Sequence, residues 1–186
     1  AVVTHVDAAE AAQSQLMRVF DALLRLGEVK AGRRRAAFAQ IDLSTVVRNM
    51  ADAFDPVFVD AHKTFTANIE PDLQVQGDQE LIEQMIANLM ENALGHSRDA
   101  AQVFVSLSKG EGGITLRVGD DGPGISPADH DRIFDRFFRA DASRSTPGNG
   151  LGLSLVQAIA ELHSATISLD PSAKGAVFII TFQPDT

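Results

Sequence analysis

Cysteine is absent from the 186 residues. That excludes disulfides, zinc–thiolate sites and thiol nucleophiles, and it is compatible with a reducing cytosol. Basic residues are in deficit: 16 Lys and Arg against 25 Asp and Glu leave a formal net charge of −9. A surface of that sign argues against non-specific nucleic-acid binding, so no nucleic-acid partner is expected. No apolar run approaches the roughly 18–20 residues of a membrane span, and no secretory signal is visible. No internal repeat or low-complexity tract occurs. The first residue is Ala1 rather than Met, so the chain reads as a piece of something longer, and membrane attachment of a parent protein stays open. The length and a hydrophobic share of 45% suit one domain with an appendage and a sizeable core.

What is present begins with a heptad seam. Val2, His5, Ala9, Ala12, Leu16, Val19, Leu23 and Leu26 recur at alternating three- and four-residue spacing, which predicts one helix over residues 1–30. Met17, Phe20 and Leu24 widen the stripe, so the helix belongs in a bundle. His5 reads as a bundle residue. Gly32 and the run Arg33-Arg34-Arg35 end it, as a solvated cationic helix terminus. Residues 36–41 read as a connector. Asp42 is a plausible N-cap for a helix carrying Leu43, Val46, Val47, Met50 and Phe54 on one face. Strands are expected around Phe65–Ile69 and Val75. Asp78 caps an amphipathic helix through Ala93. The alternations at 103–107 and 114–118 predict a hairpin turning at Lys109–Gly113. Ser126-Pro127 is read as opening a short helix that includes Ile133 and Phe134. Residues 139–149, rich in Ser, Asp, Pro and Gly, read as a mobile loop. A helix to about His163 and two closing strands follow. Helices on one side and mostly antiparallel strands on the other define an α+β, two-layer sandwich.

Three glycine-marked boxes stand in this frame. Asn88 and Asn92 lie four apart on a helix, so both amides project from one face. Neutral oxygens so placed can meet a hydrated Mg²⁺ that borrows phosphate oxygens from a substrate. Alone, the pair could equally cap or bridge backbone. Asp120 follows a strand and precedes Gly122, Pro123, Gly124 and Ile125; its carboxylate can accept from an adenine amine while glycine admits the ring. Alone, this could be a ligand-free Asp-Gly turn. Gly148, Gly150, Leu151 and Gly152 lie where the loop becomes a helix, with Gly150 to Leu155 read as its first turns. Free N–H groups and the helix dipole favour anions there, although a plain hinge would look similar. Neither a P-loop nor a dinucleotide fingerprint is present. Between the second and third boxes, Arg132-Ile133-Phe134-Asp135-Arg136-Phe137-Phe138-Arg139 combines aromatic anchors with cations able to reach phosphate. His96, beside the first box, is a further phosphate candidate or simply an exposed helix-end residue. Together the boxes describe an ATP site.

These residues resemble the ATP-binding catalytic domain of sensor histidine kinases, in the superfamily shared with gyrase, Hsp90 and MutL (the Bergerat fold). Asn88–Ser97 matches the N box, Asp120–Ile125 the first glycine box, Ile133–Arg139 the F box and Gly148–Leu153 the second glycine box. The match runs from about residue 42 to the C-terminus. Leu24–Gly32 resembles the end of the second helix of a dimerisation and phosphotransfer hairpin. The resemblance implies that Asn92 ligates Mg²⁺, that Asp120 reads adenine and that 139–149 form an ATP lid. It implies ATP and Mg²⁺ as cofactors, a response-regulator receiver domain as partner, and homodimerisation through the hairpin in the complete protein. It also implies a cytoplasmic location, free or as the cytoplasmic part of a membrane-bound sensor.

Hydrolytic members of that superfamily carry a Glu as general base one turn before the metal-binding Asn. Here the position is Asn88, which favours phosphoryl transfer over hydrolysis. Gly95 stands where the family often has a basic residue, and His163-Ser164-Ala165 replaces a usual His-Gly-Gly, expected to alter only a turn. The phosphoacceptor motif of the family is absent, and His5-Val6-Asp7 does not match it. The chain is thus expected to transfer the γ-phosphoryl group to a histidine it does not contain. Two alternatives stay open: a module that senses ATP without transferring phosphate, and a serine kinase of the anti-sigma-factor type.

Overall fold

Asp42 caps a helix as predicted: its carboxylate accepts the Thr45 N–H at 2.9 Å at the start of helix α1, Leu43–Asp60. In the computed structural model, residues 27, 38–97, 100–139 and 150–184 are described. The expected seam helix, apart from the helical Gly27, lies outside them, as do Arg33–Arg35 and lid residues 140–149 with Gly148.

Two sheets form. Strand β1 (Ala39–Asp42) pairs antiparallel with β3 (Gln74–Gly77), bringing Ile41 opposite Val75, both buried. Residues 39–41 were expected in a connector. They instead extend the domain, because Ile41 has an apolar partner across the ladder. The larger sheet has the order β2-β4-β5-β7-β6, from β2 (Thr64–Ile69), β4 (Gln102–Gly110), β5 (Gly113–Asp120), β6 (Ala165–Leu169) and β7 (Val177–Phe182). Its β2–β4 pair is parallel and the other pairs are antiparallel. A parallel pair needs a long crossover, supplied here by β3 and helix α2, Gln79–His96.

Alternation sorts the sheet faces. Val105 lies opposite Val118, and Leu116 opposite Ile180. These buried residues face α1, α2 and helix α3 (Gly152–Leu162). The other face is largely polar and carries the Arg117–Asp170 ion pair at 2.6 Å. Side-chain and backbone donors of Ser172, then Arg117, hold Asp170 down at about 2. This is the expected two-layer, mostly antiparallel sandwich with its helices on one face.

Two local expectations change. After Ser126, only Pro127–Asp129 form a helical turn, of 3₁₀ type, and Ile133 and Phe134 sit in irregular turns beyond it. Single anchors suffice there: Ile133 is buried, and Phe134 meets Phe178 edge-on with centroids 6.5 Å apart. Helix α3 begins at Gly152, not Gly150, whose φ of +67° is left-handed and outside any right-handed turn. At the far end of α3, Ser164 takes φ +54°. The Ser-for-Gly departure is absorbed as a left-handed residue closing the helix, with its N–H on the Glu161 carbonyl at 3.1 Å.

Candidate nucleotide site

Helix α2 is capped by Asp78, whose carboxylate accepts the Leu81 N–H at 3.3 Å. Its apolar face, Leu81 through Ala93, is buried, which turns Asn88 and Asn92 toward the half-exposed flank. The Asn88 amide donates to the Gln84 carbonyl at 2.9 Å. Its oxygen therefore remains available on the side of Gly152, where an added Cβ would stand 3.2 Å from it. The N box and second glycine box are thus neighbours across the α2–α3 contact. A missing side chain keeps the space between them open.

Asp120 ends β5 and is 6% exposed. Its N–H donates to the Ala176 carbonyl at 3.1 Å, and its carboxylate accepts the Gly122 N–H at 2.7 Å. The next residue, Asp121, is exposed and exchanges hydrogen bonds with the Gln102 backbone. So Asp120 alone of this pair points into the layer between sheet and helices. Burial raises its titration above the ordinary carboxylate range; the Gly122 and Ala176 N–H groups and the Lys63 charge oppose that, while Asp121 adds to it. Gly122 has a steric reason: a Cβ would lie 2.5 Å from the Asp120 carboxylate and 3.4 Å from Ser97 Cα, at the end of α2. Gly124 takes φ +73° beneath the Lys174 carbonyl. Ile125 packs against the core and its carbonyl meets His130 Nε2 at 3.0 Å.

The F box closes onto the second glycine box. The Phe137 N–H donates to the Gly150 carbonyl at 2.8 Å. Both residues have positive φ, and a Cβ on Gly150 would stand 2.8 Å from the Phe137 backbone. Phe137 and Gly150, which flank residues 140–149 in sequence, are therefore joined directly. Leu151, buried, seats the start of α3. Arg132, one of three cations read as phosphate candidates, stacks instead on the Phe138 ring at 4.6 Å. Arg136 is exposed, and Arg139 is half-buried near His96. Burial first, then repulsion from Arg139, lowers the titration of His96, against the pull of Asp120. Gly95 has open space where a side chain would project.

Two site residues escaped sequence reading. Gly175 lies on Asp120: a Cβ there would stand 1.8 Å from the Asp120 carbonyl oxygen. A lone glycine before an alternating strand was its available signal. Lys63, 8% exposed, donates to the Ser97 carbonyl at 2.9 Å beside the Asp120 turn. No local pattern marks it, because tertiary pairing alone brings it there.

Fold and site together define a nucleotide-binding sandwich, and the comparisons agree. The profile of the histidine kinase-, DNA gyrase B- and HSP90-like ATPases matches residues 77–186. The chain belongs to that family, in the histidine kinase branch whose sensor proteins it matches. It is 33% identical over 147 residues to the sensor-like histidine kinase SenX3 of Mycobacterium tuberculosis, covering 78% of this chain and 36% of SenX3. It is 34% identical over 179 residues to the heme sensor protein HssS of Staphylococcus saprophyticus, covering 91% and 36%. Among solved structures, the mycobacterial sensor histidine kinase MprB superposes with a TM-score of 0.70 at 29% identity, over 78% of this chain and 97% of that one. The chain thus spans little more than a third of the length of these curated relatives. The family supports ATP as the nucleotide. No helix among the described residues is long and apolar enough to cross a membrane.

Proposed function

We propose that this chain is the ATP-binding, phosphoryl-donating part of a two-component sensor histidine kinase. It passes the γ-phosphoryl group to a histidine outside this sequence, for relay to a response-regulator aspartate. One observation carries this reading: along one helix, α2, the Asn88 oxygen meets the Gly152 backbone at mid-length, and the buried Asp120 carboxylate lies beside Gly122 against Ser97 at the C-terminal end. Asp120 accepts from the adenine amine. The N–H groups at the start of α3 face the phosphates. Gly95 offers no cation, so Arg139 and Arg136 supply the positive charge near the phosphates, and His96, whose titration is lowered, offers a neutral ring as a hydrogen-bond partner.

Asn92, one turn beyond Asn88 on the same face, is the metal ligand in this reading. Among the described residues, no three His, Cys, Asp or Glu side chains cluster into a metal site, so the donor set suits a cation that keeps its waters and phosphate ligands. Mg²⁺ bound there supplies charge neutralisation on the phosphates. An Asn92→Ala variant is expected to lose at least about tenfold of the Mg²⁺-dependent affinity for a non-hydrolysable ATP analogue, read by calorimetry with and without the metal.

Asn88 stands where a water-activating base would have to be, and an amide cannot take a proton near neutral pH. The site therefore orients and neutralises, as phosphoryl transfer requires, rather than activating water. The complete protein works as a homodimer in the cytoplasm, joined through its helical hairpin, with a receiver domain as partner. The test supplies γ-labelled ATP and a separately made phosphotransfer hairpin carrying the acceptor histidine. Acid-labile label on the hairpin is expected. Acid-stable label would point to a serine kinase, and ATP binding with no transfer to a sensing module; either would overturn the proposal.

A further inference from the structure

Asp120 poses a problem that its hydrogen bonds solve only in part. A carboxylate with 6% exposure disfavours its own ionised form. Yet the ionised form, with lone pairs on both oxygens beyond the one that accepts the Gly122 N–H, is the better acceptor for an amine donor. A protonated carboxyl would meet that amine with a hydroxyl.

Lys63 lies where it can settle the balance. It occupies the residue before β2, and the next residue, Thr64, donates its N–H to the Ala101 carbonyl at 3.0 Å. The register then runs Phe65 opposite Val103 and Val103 opposite Asp120. Strand alternation puts Lys63 on the same inward face as Phe65 and Asp120. The residue, unlike an ordinary surface lysine, is nearly covered, and its ammonium donates to the Ser97 carbonyl at 2.9 Å. Ser97 Cα in turn lies 3.4 Å from where Gly122 would carry a Cβ. Lys63, Ser97, Gly122 and Asp120 thus form one contiguous row from the end of α2 to the end of β5. The charges acting on Asp120 among the described residues are Lys63, which favours its ionised form, Asp121, which opposes it, and His96, with Arg139 behind it.

We propose that Lys63 is a positioning residue of the nucleotide site: its ammonium is the buried counter-charge that keeps Asp120 ionised for adenine, while its bond to Ser97 holds the end of α2 against the Asp120–Gly122 turn. The inference rests on Asp120 being the adenine acceptor. A merely structural lysine would cap the helix C-terminus through Ser97 and leave the chemistry of Asp120 unchanged.

The test is ADP affinity as a function of pH, between about 5 and 8, for the unaltered chain and for Lys63→Arg, Lys63→Gln and Lys63→Met. Titration of the ADP phosphates is common to all and cancels in the comparison. Affinity is expected to fall as Asp120 takes up its proton on acidification. Lys63→Gln keeps a donor for Ser97 and removes the charge; its loss of affinity on acidification is expected to begin at a resolvably higher pH than in the unaltered chain. Lys63→Met is expected to shift equally and also to lower thermal stability, whereas Lys63→Arg keeps the original profile. Should Lys63→Met fail to fold, the Gln and Arg variants carry the comparison. Superposable profiles for the Gln variant and the unaltered chain would overturn the counter-charge role. Undiminished ADP affinity in Asp120→Asn would instead remove the adenine reading and this inference with it, an outcome distinct from a lost site with unshifted Lys63 profiles.

Discussion

Gly175 lacks a side chain because the Asp120 carbonyl occupies the place a Cβ would take, 1.8 Å away. The obstruction is backbone, so it cannot rotate aside. Gly175→Ala must push β7 off the end of β5 and carry Asp120 with it. A loss of at least about 2 kcal/mol in unfolding free energy is expected, as for other forced overpacking, together with weakened ADP binding; denaturant titration and calorimetry measure the two. At this scale the sequence was readable wherever a residue type is itself unusual for its setting. Asp120 between a strand and two glycines, and paired amides four apart, announced themselves. Lys63 did not, because a lysine after a helix is ordinary until folding buries it.

Elements were legible where periodicity and caps agreed. Asp42 and Asp78 each cap a helix whose buried face follows the apolar spacing. Legibility failed where one or two anchors replace a periodic face, as at Ile133 and Phe134, and where a short strand has its partner some thirty-five residues away, as Ile41 with Val75. The junction of these elements holds His163, buried at the end of α3. Its Nε2 accepts the Asp78 N–H at 3.0 Å, its Nδ1 lies 2.7 Å from the Ile159 carbonyl, and its ring stacks on Phe38 at 4.7 Å. Donating from Nδ1 and accepting at Nε2 requires the neutral ring. Burial lowers its titration below the ordinary 6.5, against the opposing pull of the Ile159 carbonyl and Asp78. The unfolded chain therefore binds the proton first as pH falls. Stability contributed by neutral His163 is complete above about pH 6.5 and declines as pH drops from there toward the folded value. Urea midpoints should fall across that window, and His163→Gln should flatten the slope attributable to this group.

The whole molecule brings the three boxes together through its topology. A crossover of β3 and α2 sets β2 parallel to β4, and the hairpin of β4 and β5 then returns Asp120 to the far end of α2. Neither the parallel pair nor the strand order is encoded in local pattern, since both depend on which apolar faces meet. The sandwich class was readable because alternating strands and amphipathic helices each expose one apolar side. The central claim is that this topology makes Asp120 the reader of adenine, and nucleotide binding tests it most directly. Calorimetric titration should give tighter binding of ADP than of GDP to the unaltered chain. Asp120→Asn should lose at least about tenfold in ADP affinity while the discrimination against GDP collapses. Equal affinities for the two nucleotides, or an Asp120→Asn variant that binds ADP as well as the parent, would contradict the account.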